Sequence, residues 1–227
     1  PVTAQEEVAL KAPRAFARGG FSYQGVISSA HLEQIIPNWI RACMKPETTT
    51  ATGRIINFVD PDPASFSIRD IALGLARAPR FAGHTDPDLP AYTVAEHSVW
   101  VSRHCSPELA LCALLHDSSE AYMVDVPSPL KGLLGDYKKI EAKISAAIYE
   151  KFGLTAQAEA NYAAIKHADN LALLVEARDL RTGISTKVPG DDTTESASIR
   201  HIASIRPVGE VRARAMFLDR FVELKGF

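Results

Sequence analysis

Ile140, Ile144, Ile148 and Phe152 stand at four-residue steps in DYKKIEAKISAAIYEKFGL, with Lys and Glu between them. At about 3.6 residues per turn this spacing lines the apolar residues along one helix face, and Gly153 is placed to end the helix. A chain made of such segments must bury one stripe of each helix against another. The same kind of text recurs in SIRDIALGLARA, TVAEHSVWVSRHC, SPELALCALLHDSSEAYM, AEANYAAIKHADNLALLVEARDL and EVRARAMFLDRFVEL. Ser67 is a candidate N-cap, with Asp70 three residues on at capping-box spacing, and Ser106 is another, with Pro107 at the first helical position. Period-two alternation is scarce and no internal repeat is visible. The expected fold class is all-α, a helical bundle in one domain.

The intervening segments are read as irregular. INFVDPDPASF is expected to be extended and then turn, with Pro61 and Pro63 excluding helix; PRFAGHTDPDLP and TKVPGDDTTES are expected loops. KPETTTATG, from Lys45 to Gly53, reads as a linker. Before it, APRAFARGGFSYQGV reads as loosely ordered, and SSAHLEQIIPNWIRACM as a short helix broken or kinked at Pro37. The domain is therefore expected over residues 46–227. Residues 1–45 are read as an irregular N-terminal extension, either partly disordered or a non-native leader, with Met44 a candidate natural start.

With 227 residues the chain can bury a proper core, and its net charge of −2 supplies no basic field, which argues against a nucleic-acid polymer or an anionic membrane as partner. Cys43, Cys105 and Cys112 form no CxxC pair, and no run of eighteen apolar residues occurs. A reduced, cytoplasmic setting is the expectation.

LLHDSSEAYMVDVPSPLK then puts His116, Asp117, Glu120 and Asp125 directly after an apolar run. His97 lies on an otherwise apolar helix face in AEHSVWV, and Asp169 likewise in KHADNLAL. Taken singly, each is more often a hydrogen-bonded core or surface residue than a ligand. Together they offer two imidazoles and two carboxylates from three helices, a donor set suited to a divalent transition metal. His116 and Asp117, neighbours on one expected helix, would point about 100° apart and approach one ion from adjacent directions.

The motifs AEHS, LLHDSSE, VDVPSPLK and KHADNLAL, with DPDPASFSIRDIALGLARAPRFAGHT upstream, resemble those of HD-superfamily metal-dependent phosphohydrolases, nearest the branch of bacterial 5'-deoxynucleotidases and phage dATP triphosphohydrolases. The resemblance runs from about Thr52 to the C-terminus. It implies an HD-domain bundle with His97, His116, Asp117 and Asp169 as ligands of one divalent ion, whether Mn, Co, Zn, Fe or Mg. Glu120 and Asp125 would be the catalytic carboxylates; Glu120, one turn beyond His116, would share its face. Arg80, Lys131 and His84 would contact phosphate or leaving group. Phe81 stands where the 5'-deoxynucleotidases carry a Trp that helps exclude ribose, which leaves the sugar preference open. The implied activity is hydrolysis of phosphate from nucleotides, foremost (deoxy)nucleoside 5'-monophosphates, by a homodimer. The alternatives are a triphosphohydrolase, a promiscuous phosphodiesterase, or a catalytically silent nucleotide-binding regulatory module.

Overall fold

The computed structural model describes residues 45–181 and 199–226. The chain divides into two compact units at Lys45–Pro46, and the second, Pro46–Phe227, carries everything described below. The expectations for residues 1–44, among them the helix around Pro37, and for the loop TKVPGDDTTES lie outside the described residues.

Among its described residues the unit is all-α apart from one short hairpin and an isolated bridge between Pro79 and Thr93. Strands β1 (Glu47–Thr49) and β2 (Ile55–Asn57) pair antiparallel, Thr48 opposite Ile56. The expected linker is thus a strand and turn. Its anchor is Asp70, which accepts hydrogen bonds from Thr50 Oγ1 (3.0 Å), Thr52 N (3.1 Å) and Thr52 Oγ1 (2.5 Å). This also corrects the capping-box expectation. Ser67 does cap helix α1 (Ile68–Arg77), accepting from Arg69 N, but the Asp70 side chain serves the hairpin.

Helix α2 (Val94–His104) has the full capping box, unrecognised in TVAE: Thr93 Oγ1 accepts from Glu96 N, and the Glu96 carboxylate accepts from Thr93 N. The segment expected as a single helix from Pro107 is broken. A 3-10 turn (Pro107–Leu109) leads into α3 (Ala110–Leu114), residues 115–119 form turns, and α4 (Glu120–Met123) follows. Ser106 and Pro107 start the 3-10 turn as N-cap and first residue, without a side-chain capping bond. After α5 (Ser128–Lys131) comes α6 (Gly135–Phe152), ended by Gly153 at φ 71°, a left-handed cap that glycine adopts at no steric cost. Helix α7 (Thr155–Ala160) and α8 (Tyr162–Leu180) are separate, and α9 (Glu210–Lys225) closes the unit.

The core lies where α9 packs on α1, α2 and α3, with α8 against α2 and α4 against α1. Ile71, Leu75, Val99, Leu114, Ile144, Ile148 and Phe217 are buried there. On α6 the predicted stripe holds: Ile144 and Ile148 are buried, and Ile140 and Phe152 pack on the same cluster. Helix α1 crosses α4 so closely that a Cβ on Gly74 would sit 2.4 Å from the carbonyl oxygen of Ala121. That contact seats Glu120, the neighbour of Ala121. No described helix is long and apolar enough to cross a membrane.

Candidate metal centre

Three elements bring the expected ligands together. His97 projects from the middle of α2 and is fully buried; His116 and Asp117 sit in the turns after α3; Asp169 comes from α8. Ligand atoms of His97, His116 and Asp169 all lie within 4.8 Å of one another. His97 Nε2 is 3.3 Å from His116 Nε2 and 3.2 Å from Asp169 Oδ1. Asp117 borders this point, its Oδ2 3.2 Å from His116 Nε2 and 3.5 Å from His97 Nε2. The break in the expected helix is what lets this pair face the cluster.

The other nitrogen of each ring is engaged. His97 Nδ1 is 2.6 Å from Glu176 Oε1, and His116 Nδ1 is 2.8 Å from the carbonyl oxygen of Ala113. Carboxylate and carbonyl can only accept, so both Nδ1 atoms carry a proton and both Nε2 atoms face the shared site, where the neutral rings offer lone pairs to a cation. Two imidazole nitrogens and a carboxylate converging in this way fit a borderline divalent ion, which His97, His116 and Asp169 would hold with Asp117 beside them.

Charge is arranged around that point. Burial works against ionised His116, but Asp117 and Asp169 outweigh it and hold its pKa well above the ordinary value. Burial likewise opposes the Asp169 carboxylate, and the two imidazoles more than compensate, keeping it far below the usual range. Glu120, in contrast, is 5 % exposed, and burial reinforced by Asp117 and Asp125 pushes its carboxyl up to about 9. Among the described residues its Oε2 has no hydrogen-bond partner, and its Oε1 is 3.5 Å from Lys131 Nζ. Asp125 is raised as well, first by burial. It follows Val124, whose φ of 68° and ψ of 151° form a conformation costly for a β-branched residue.

The cluster opens on a cleft of about 910 Å³, lined by His116, Asp117, Asp169, Lys131 and Lys166 among others. Lys131 is drawn towards Glu141, 2.7 Å away. Lys166, one turn before Asp169, is half exposed and bonds Asp169 Oδ2.

Of the expected site residues, Arg80, Phe81, His84, His97, Glu120 and Asp125 are not among those lining this cleft; His116, Asp117, Lys131 and Asp169 are. The Arg80 side chain is 11 % exposed and held between Asp117 Oδ2 (3.6 Å) and Glu176 Oε2 (3.2 Å). Phe81 and Ala82 have left-handed backbones, φ 56° and 52°, and the Phe81 ring lies 5.6 Å and 5.2 Å from the guanidinium carbons of Arg80 and Arg181. His84 is exposed at the end of that turn. Glu120 begins α4 instead of continuing the helix of His116, so the shared face expected of the two does not exist. His104 stacks on Trp100 with ring centroids 3.6 Å apart.

Two side chains that matter here escaped the reading of the sequence, Glu176 and Lys166. Both share a face of α8 with Asp169, seven residues after it and three before it, and that spacing was the available signal.

The chain is 39 % identical over 157 residues to the uncharacterized protein YfdR of Escherichia coli K12, a match covering 69 % of this chain and 83 % of that protein. The chain belongs to the YfdR family. An uncharacterized protein of Rhodobacter capsulatus is 35 % identical over 175 residues, covering 71 % of this chain and 88 % of its own. No family model matches the sequence.

Proposed function

We propose that this protein is a metal-dependent phosphohydrolase of the HD type that removes phosphate from nucleotides, foremost (deoxy)nucleoside 5'-monophosphates. The observation that carries the reading is the meeting of His97, His116 and Asp169 within 4.8 Å, with His116 and Asp169 lining a cleft of about 910 Å³ and His97 buried behind them. Such a cleft admits a nucleotide.

His97, His116, Asp117 and Asp169 would hold the ion, which when bound supplies Lewis acidity towards a phosphoryl oxygen and lowers the pKa of a water. Lys131 and Lys166 offer positive charge to the phosphate oxygens from within the cleft. Glu120, whose burial beside Asp125 favours the protonated carboxyl, would donate a proton to the leaving ester oxygen. Asp125 orients the attacking water. Arg80 adds positive charge beside Asp117, its terminal nitrogens facing Asp117 and Glu176.

The test is phosphate release from a panel of ribo- and deoxynucleoside mono- and triphosphates by metal-stripped protein reloaded with Mn, Co, Mg, Zn or Fe. Monophosphates are expected to be cleaved, and the His116→Ala/Asp117→Ala double variant to lose both bound metal and turnover. No release with any metal, or turnover retained in the double variant, overturns the reading.

A further inference from the structure

Glu176 is a fully buried carboxylate on α8, a placement that glutamate almost never takes unless both oxygens are used. Here both are. Oε1 accepts from His97 Nδ1 at 2.6 Å, and Oε2 accepts from an Arg80 terminal nitrogen at 3.2 Å. The other Arg80 terminal nitrogen is 3.6 Å from Asp117 Oδ2, which is 3.5 Å from His97 Nε2. The contacts therefore close a ring, His97 to Glu176 to Arg80 to Asp117 and back to His97. Three of its members come from segments far apart in the sequence, and the fourth, Asp117, is the neighbour of His116.

We infer that Glu176 is a positioning residue for the cation: it holds the His97 ring with Nδ1 protonated and Nε2 aimed at the site, and through Arg80 it holds Asp117 against the same point. An imidazole free to rotate about its χ angles presents either nitrogen in either tautomer, and only one of those arrangements aims a lone pair at His116 and Asp169. A carboxylate behind a metal-binding histidine both selects that arrangement and raises the basicity of the ligating nitrogen. The inference rests on the metal-site part of the proposed function and is independent of what the site hydrolyses.

Zinc affinity, measured by competition with a chromogenic chelator, tests it. Removing Glu176 alone strands Arg80 in the interior, so the informative pair is Arg80→Met and Glu176→Leu/Arg80→Met. The second replaces the buried ion pair by apolar groups of similar size, an exchange that proteins tolerate. Glu176→Leu/Arg80→Met is expected to bind zinc 10–100-fold more weakly than Arg80→Met, the range for loss of such a partner. Affinities within twofold of each other overturn the inference and leave Glu176 a packing residue. In case the double variant does not fold, zinc-loaded wild-type protein labelled with 15N-histidine gives a second readout. His97 is expected to show a zinc-shifted Nε2 and a Nδ1 proton strongly deshielded by its bond to carboxylate. Coordination through Nδ1 overturns the inference. Zinc binding with these signatures but no phosphate release from any nucleotide overturns the proposed hydrolysis and leaves the role of Glu176 standing; a wild-type protein that binds no divalent ion overturns both.

Discussion

His97 and His116 turn their Nε2 atoms to within 3.3 Å of each other inside the bundle. Each ring has committed its other nitrogen to an acceptor, Glu176 and the carbonyl of Ala113. Two lone pairs facing at that distance repel unless a proton or a cation lies between them, and Asp169 adds negative charge at the same place. A divalent ion that binds the folded chain and not the unfolded one should therefore stabilise it. At a hundredfold excess over Kd the gain is about 2.7 kcal/mol, or roughly 5–10 °C in Tm for a unit of this size. Thermal melts with and without Mn, Zn or a chelator check this, and unchanged melting in every metal would dismiss the cluster as a metal centre.

Glu120 ties stability to pH in metal-free protein. The unfolded chain releases this proton near 4.5, whereas the folded one keeps it up to about 9. Between those values the native state binds the extra proton, so stability is full below the lower one and falls as pH rises towards the upper. The raised imidazoles of His97 and His116 add a decline of the same sign. The comparison that isolates Glu120 is Glu120→Gln, whose denaturation free energy should fall less steeply from pH 5 to 9 than that of wild type. Parallel curves would mean that Glu120 ionises normally.

Lys166 is bonded to the Asp169 carboxylate at the edge of the cleft. In Lys166→Met a cleft cation is lost while the three converging ligand groups remain. KM for a nucleotide monophosphate is expected to rise about tenfold, near 1.4 kcal/mol of binding, with metal stoichiometry unchanged. Arginine at this position should restore most of the affinity. Loss of metal together with the lysine would show that its role is to hold Asp169.

Gly74→Ala should destabilise the fold, although alanine is ordinarily the better helix former by about 1 kcal/mol. The new methyl would meet backbone and Cβ of Ala121 at 2.4–2.8 Å, so α1 or α4 must shift, at a typical cost of about 1–3 kcal/mol. Because α4 begins at Glu120, turnover should fall too. Urea denaturation measures the first effect, and a variant as stable as wild type would mean that the helices separate freely.

Helix α6 shows what local text can specify. Its four-residue apolar step and Gly153 determine a helix, the face it buries and where it stops, because backbone geometry and side-chain period act within a few residues. The ligand candidates were legible for a similar reason: His97 and Asp169 interrupt apolar faces, and His116–Asp117 follows an apolar run, all costly placements without a partner. The break at residues 115–119 was not legible, since Leu109 to Leu115 reads as continuous helix and only the packing around it decides where it ends. Nor was the hairpin, whose threonines find their acceptor on Asp70, a residue that looks like part of a cap. Arg80 and Phe81 illustrate the limit most sharply. The sequence shows Arg80 as a lone cation, and only the fold sets it against Glu176 and Asp117, since a buried charge goes to whichever counter-charge the tertiary structure brings within reach. Residue types and spacing determined which groups need partners; the crossing of α2, α8 and the turns after α3 decided which partners they have.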